Sequence, residues 1–153
     1  MHSAGVGKPR QERVHQVKAR DASIFDFGSY VPIGSAVELL GKWRKQGAEI
    51  VYLSSHKDAK DVEQDELVLN RYNFPNGMVC FREGSETYED KVEKELPDVL
   101  IEDDCESIGG EVEIVYPQLK IKLRSKIVSI VVKEFSGIDH LPGKHQLLAD
   151  YNT

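Results

Sequence analysis

PDVLIEDD, residues 97–104, places three carboxylates directly behind an apolar run. Val99, Leu100 and Ile101 read as a short buried strand, and Glu102, Asp103 and Asp104 follow with no spacer. Adjacent carboxylates repel one another and resist desolvation, so ending a core strand on them needs something to offset the cost. A divalent cation is one such partner. Mg²⁺ binds one or two carboxylates and keeps waters and open positions for phosphate oxygens. The stretch sets two expectations: a strand in a buried sheet, and a metal edge at its carboxyl end.

Working outward, apolar runs alternate with helical patterns. Before Pro97, SETYEDKVEKEL (85–96) reads as a charged helix and MVCF (78–81) as a short strand. A helix is expected over roughly 58–72. AEIVYL (48–53) is nearly continuous in apolar character, as in a parallel strand covered on both faces. Ahead of it a helix starts at Ser35, with Glu38 three residues on as a capping box, and Gly47 ends it. Ala36, Val37, Leu39, Leu40 and Trp43 form its apolar stripe. After the acidic run, EVEIVY (111–116) alternates as a strand or hairpin arm would. PQLKIKLRSK (117–126) opens on a proline suited to a helix start, and IVSIVV (127–132) is the last strong strand. This alternation predicts an α/β fold with a mostly parallel sheet between helices.

The outer segments read differently. Residues 1–30 are expected to form a polar helix and linker, with a surface helix over 8–20 and ASIF (22–25) as a short strand or extended link. Residues 31–133 hold the α/β core, and 134–153 form an irregular tail of the same single domain. At 153 residues the chain can bury a proper core. A net charge of −6 does not indicate a nucleic-acid surface. Two cysteines, Cys80 and Cys105, are too few for a disulfide scaffold and suit a cytoplasmic protein. No run approaches the roughly 20 apolar residues of a membrane span, so no membrane partner is expected.

Ligands of open α/β sheets sit beyond the carboxyl ends of the strands. Ser54, Ser55 and His56 follow one strand, the acids follow another, and Lys91 lies on the helix between. A hydroxyl, an ammonium and paired carboxylates suit phosphate chemistry. GVGK (5–8) is not a P-loop, because Pro9 stands where Ser or Thr is needed. A receiver domain would place its acidic pair first in the chain, not last, and a Toprim-like site would need an Asp-x-Asp. Cys105, beside the acids, is a poor nucleophile.

In order, EIVYLSSH (49–56) and YEDKVEKELPDVLIEDDCESIGG (88–110) resemble motifs two, three and four of the haloacid dehalogenase-like (HAD-like) phosphohydrolase superfamily. YVPIGSAVELLGKW (30–43) and EFSGIDHLP (134–142) are similar to an uncharacterised prokaryotic branch of it. The resemblance implies a Rossmannoid three-layer sandwich without a large cap. It implies Mg²⁺-dependent hydrolysis of a small phosphorylated substrate through an aspartyl-phosphate. Ser54 and Lys91 would hold the phosphoryl group, and Asp103 with Asp104 or Glu102 would hold Mg²⁺. Motif one, an apolar strand ending in Asp-x-Asp, does not occur before Ser54. Asp26 in SIFDFGSY could stand in as nucleophile, but Gly28 occupies the place of the second aspartate. Motif one thus lies before Met1, is reduced to Asp26, or is lost in a non-catalytic binding or regulatory relative. In the family's sheet its strand lies between those of motifs two and four.

Overall fold

Parallel strands need a crossover between them, and the helices expected between the apolar runs supply it. The computed structural model, which describes residues 1–151, orders the chain as a mixed α/β fold. Helix α1 (Arg10–Lys18) and α2 (Ala36–Lys45) precede β1 (Val51–Leu53). Then come α3 (Ala59–Arg71), β2 (Met78–Cys80), α4 (Tyr88–Glu95), β3 (Val99–Asp103), the short α5 (Ile121–Arg124) and β4 (Val128–Val132). Strand β1 pairs in parallel with β2, Tyr52 facing Val79, and β3 pairs in parallel with β4, Ile101 facing Ile130. These are two separate two-stranded sheets. Among the described residues, no helix is long and apolar enough to cross a membrane.

The β3–β4 pair carries the core on both faces. On one face Val99 and Ile101 pack with Leu39 and Trp43 of α2, Ile130 and Val132 of β4, and Leu141 and Leu148. On the other, Leu100 joins Val92 of α4 with Val115, Leu119 and Ile127. Successive side chains of a strand point to opposite faces, so one short apolar run serves two clusters. The β1–β2 pair is far less covered. Val51 and Leu53 are 39% and 36% exposed and Met78 is 50% exposed, although AEIVYL reads as a strand buried on both faces.

Several local expectations give way. ASIF is a 3-10 turn, Ala22–Phe25, and not a strand. EVEIVY is not a strand: a 3-10 turn covers Gly110–Glu113, and a second, Tyr116–Gln118, takes Pro117. Ser35 does not cap α2; its backbone N–H and hydroxyl both meet Asp139 Oδ1, at 2.8 and 3.1 Å. The capping box of this chain is at α4, where Thr87 Oγ1 accepts from the Asp90 N–H and Asp90 Oδ2 from the Thr87 N–H.

The segments on either side of the core are built into the fold. In the tail, Trp43 Nε1 donates to the Pro142 carbonyl at 2.9 Å and Gln46 Nε2 to that of Gly143 at 2.8 Å. Helix α1 buries Val14 and Gln16, and Arg13 Nη1 reaches the Phe135 carbonyl at 3.1 Å. The amide of Met1 is tied in too, its carbonyl accepting from the Val31 N–H at 2.9 Å. Residues 152 and 153 of the expected tail lie outside the described residues.

Candidate functional site

The carboxyl end of β1 turns at once to α3. Ser54 continues the ladder by donating its N–H to the Cys80 carbonyl at 2.8 Å. Its hydroxyl is buried and donates to Asp65 Oδ2 at 2.6 Å. His56 closes the same knot: its N–H donates to Ser54 Oγ at 3.1 Å, and its Nδ1 lies 3.0 Å from Asp65 Oδ2. Its ring stands 4.1 Å, centroid to centroid, from Phe27. Ser54 is thus in place at the strand end, with its hydroxyl already in use. Ser55 is exposed.

Asp26 reaches this neighbourhood through its chain neighbours. The turn Phe27–Ser29 packs on α3, and Arg71 Nη1 donates to the Gly28 carbonyl at 2.6 Å. Asp26 itself is exposed, between two 3-10 turns. Among the described residues, no hydrogen bond or ion pair joins its carboxylate to Lys91 or the acidic run.

Lys91 is buried on α4. Its Nζ lies 2.5 Å from Glu86 and 3.7 Å from Glu83, and the hydrogen bond to Glu86 raises its pKa. The ammonium is charged but faces its own helix's approach loop.

The acidic run separates into three roles. Glu102 accepts the N–H groups of Val115 at 2.7 Å and Tyr116 at 3.0 Å, one on each oxygen. Burial raises its pKa despite those donors. Asp103 is exposed, and its Oδ1 accepts the Cys105 N–H at 2.8 Å. Asp104 Oδ1 accepts the Glu134 N–H at 3.0 Å, while its Oδ2 lies 3.9 Å from Arg10 Nη2. Arg10 also pairs with Glu106 and donates Nε to the Glu134 carbonyl at 2.8 Å. Cys105 takes a left-handed backbone, and burial, then the charge of Asp103, push its thiol up to about 12. That fits the expectation of a poor nucleophile. Among the described residues, no group of three or more His, Cys, Asp or Glu side chains is arranged to hold a metal ion.

Sequence reasoning passed over Arg10, Asp65, Arg82 and Tyr88. Arg82 lies two residues beyond β2, where the strand-end rule would have found it had it been applied to every strand. Asp65 and Arg10 carry no local signal, since their partners lie 9 and 11 positions away for Asp65 and 94 or more for Arg10. Comparison with protein-family models, with curated proteins and with solved structures finds no match for this chain.

Proposed function

We propose that the chain is a HAD-like, Mg²⁺-dependent phosphohydrolase domain acting on a small phosphorylated substrate at the carboxyl ends of β1 and β3. One observation carries the reading. Each of these strands has a partner on one side alone, and each runs into polar groups, Ser54 and Ser55 after β1 and Asp103 and Asp104 after β3. Under this reading the pairs β4–β3 and β1–β2 would flank the place of a central strand. In the three-layer sandwich of that superfamily the central strand carries the nucleophilic aspartate. Asp26 is a poor substitute, because a 3-10 turn precedes it and leaves its carboxylate on the surface.

The residues present fit Mg²⁺ in part. Asp103 keeps one oxygen free of protein donors, and Asp104 Oδ2 has only Arg10, at 3.9 Å. Hard carboxylate oxygens at a solvent edge are the donors Mg²⁺ prefers. Glu102 does not fit, because both its oxygens are held by backbone N–H groups. Asp103 and Asp104 would hold the ion, and the ion would neutralise phosphoryl charge. For Ser54 and Lys91 to bind phosphate, the bonds to Asp65 and Glu86 would have to exchange.

The test is calorimetric titration of Mg²⁺ into the chain, with release of nitrophenol from an aryl phosphate as the second readout. Mg²⁺ binding that Asp103→Ala removes, with Mg²⁺-dependent turnover lost in the same variant, is the expected result. Mg²⁺ binding that ignores Asp103→Ala overturns it. A second reading, a non-catalytic binding or regulatory domain, has one observation in its favour: the Arg10 guanidinium already supplies positive charge to Asp104 and Glu106. Under it, Arg10→Gln would expose Mg²⁺ affinity that the unaltered chain lacks.

A further inference from the structure

Arg82 differs from the two cations just described. Lys91 and Arg10 are each paired with two carboxylates, whereas no carboxylate oxygen lies within ion-pairing distance of Arg82 among the described residues. Its guanidinium is nonetheless held in place. The carbon Cζ stands 4.0 Å above the Tyr88 ring, and Nη2 donates to the Ser55 carbonyl at 2.7 Å. Its Nε is buried without any partner, one of three such atoms among the described residues. Nη1 is not among those buried atoms.

A flat aromatic face and a backbone carbonyl orient an arginine but do not neutralise it. The contacts that fix the guanidinium leave its charge uncompensated. Its surroundings are those of an anion site. The exposed Ser55 is beside it, at the end of β1. Tyr88 lies beside both groups: burial raises its phenol pKa, and Arg82 and Ser55 lower it.

We propose that Arg82, with the Ser55 hydroxyl, is the anion-binding group of this edge and takes the phosphate of a phosphate monoester. The assignment rests on the phosphohydrolase reading above for the nature of the anion, and it moves the phosphate contact from Lys91 to Arg82. A guanidinium binds phosphate oxygens with two parallel N–H groups, which a lysine cannot do. The ring of Tyr88 keeps that fork in one plane.

The experiment uses the full chain and inorganic phosphate without metal, followed by phosphorus NMR line broadening at constant ionic strength in chloride. Saturable binding is expected, weakened about tenfold or more in Arg82→Gln and less than twofold in Lys91→Gln. Equal binding by wild type and Arg82→Gln overturns the proposal, as does broadening that chloride abolishes at equal ionic strength. Chemical modification of unaltered protein by phenylglyoxal, mapped by mass spectrometry, guards against a variant that fails to fold. Phosphate, and not chloride, should protect Arg82; equal labelling in both salts overturns the proposal. Mg²⁺ titration of the same samples separates the two readings. Asp103-dependent Mg²⁺ binding with phosphate affinity indifferent to Arg82 defeats this inference alone. Arg82-dependent phosphate binding with no Asp103-dependent Mg²⁺ binding defeats the metal-dependent reading alone.

Discussion

Glu134 spends its carboxylate on one neighbour, accepting the Ser107 N–H at 2.9 Å and hydroxyl at 2.5 Å while buried at the end of β4. Burial raises its pKa above the ordinary 4.5, outweighing the two donors. The folded chain therefore keeps this proton to a higher pH than the unfolded chain does. The stability gained from it is complete below 4.5 and is lost as pH rises through the raised value. Glu134→Gln cannot titrate. Urea unfolding from about pH 4 to about pH 7 should show wild-type stability, relative to this variant, falling as pH rises. A flat or rising difference would refute the assignment. Glu102 makes the complementary case. Glu102→Ala leaves the N–H groups of Val115 and Tyr116 without acceptors, and the expected loss is about 2 kcal/mol in the same unfolding assay. Mg²⁺ affinity should not change. A loss of Mg²⁺ binding would return Glu102 to the metal set. Side by side in sequence, the three acids gave no sign of this division, because the partners that set Glu102 and Asp104 apart lie 13 to 94 positions away.

Helix α4 shows why element boundaries were harder to read than elements. SETYED holds a capping box, but the acid at its third position is aspartate, and the reading anchored on the more familiar Ser35 and Glu38 instead. Ser35 failed because Asp139, 104 residues on, takes its hydroxyl and N–H together. No local pattern contains that competitor. Thr87→Ala should cost about 1 kcal/mol by removing the acceptor of the Asp90 N–H. Thermal melts of that variant matching wild type would show that tertiary packing, not the cap, sets the start of α4. The apolar runs themselves were legible: VYL, MVC, VLI and VSIVV all lie in strands, and Gly47 follows α2 with φ +101°, where a side chain would be strained. ASIF was misread because four apolar or small residues suffice for a strand pattern. The Asp21 carboxylate accepts the Ser23 N–H and hydroxyl at 2.9 and 2.8 Å, which bends the chain into a 3-10 turn.

At the scale of the molecule, the order of helices and strands gave the α/β class, yet it did not say that the parallel strands form two sheets. Alternation along a sequence counts strands without saying which edges meet. The consequence is an uneven distribution of stability. Strands β3 and β4 share a five-residue ladder between two apolar clusters, and Ile130 is fully buried. Strands β1 and β2 share three residues, and Val51, Leu53 and Met78 remain open to water. Parallel strands are ordinarily covered on both faces, and two strands alone are marginal in water. Opening β1–β2 exposes little that is not already wet, whereas opening β3–β4 requires both clusters to come apart. Native-state hydrogen exchange should therefore divide the ladders. Amides at the centre of β3 and β4 should exchange only by global unfolding, with the denaturant dependence of the whole chain. Those of β1 and β2 should exchange by local opening, about a hundredfold faster or more and nearly independent of denaturant. Equal protection would mean that β1–β2 shares the main core after all, and the case for an open strand position beside β1 would fall with it. Slow exchange in β1–β2 that appears only with added Mg²⁺ and phosphate would instead place the ligand's binding energy in this ladder, as a site at the ends of β1 and β3 requires.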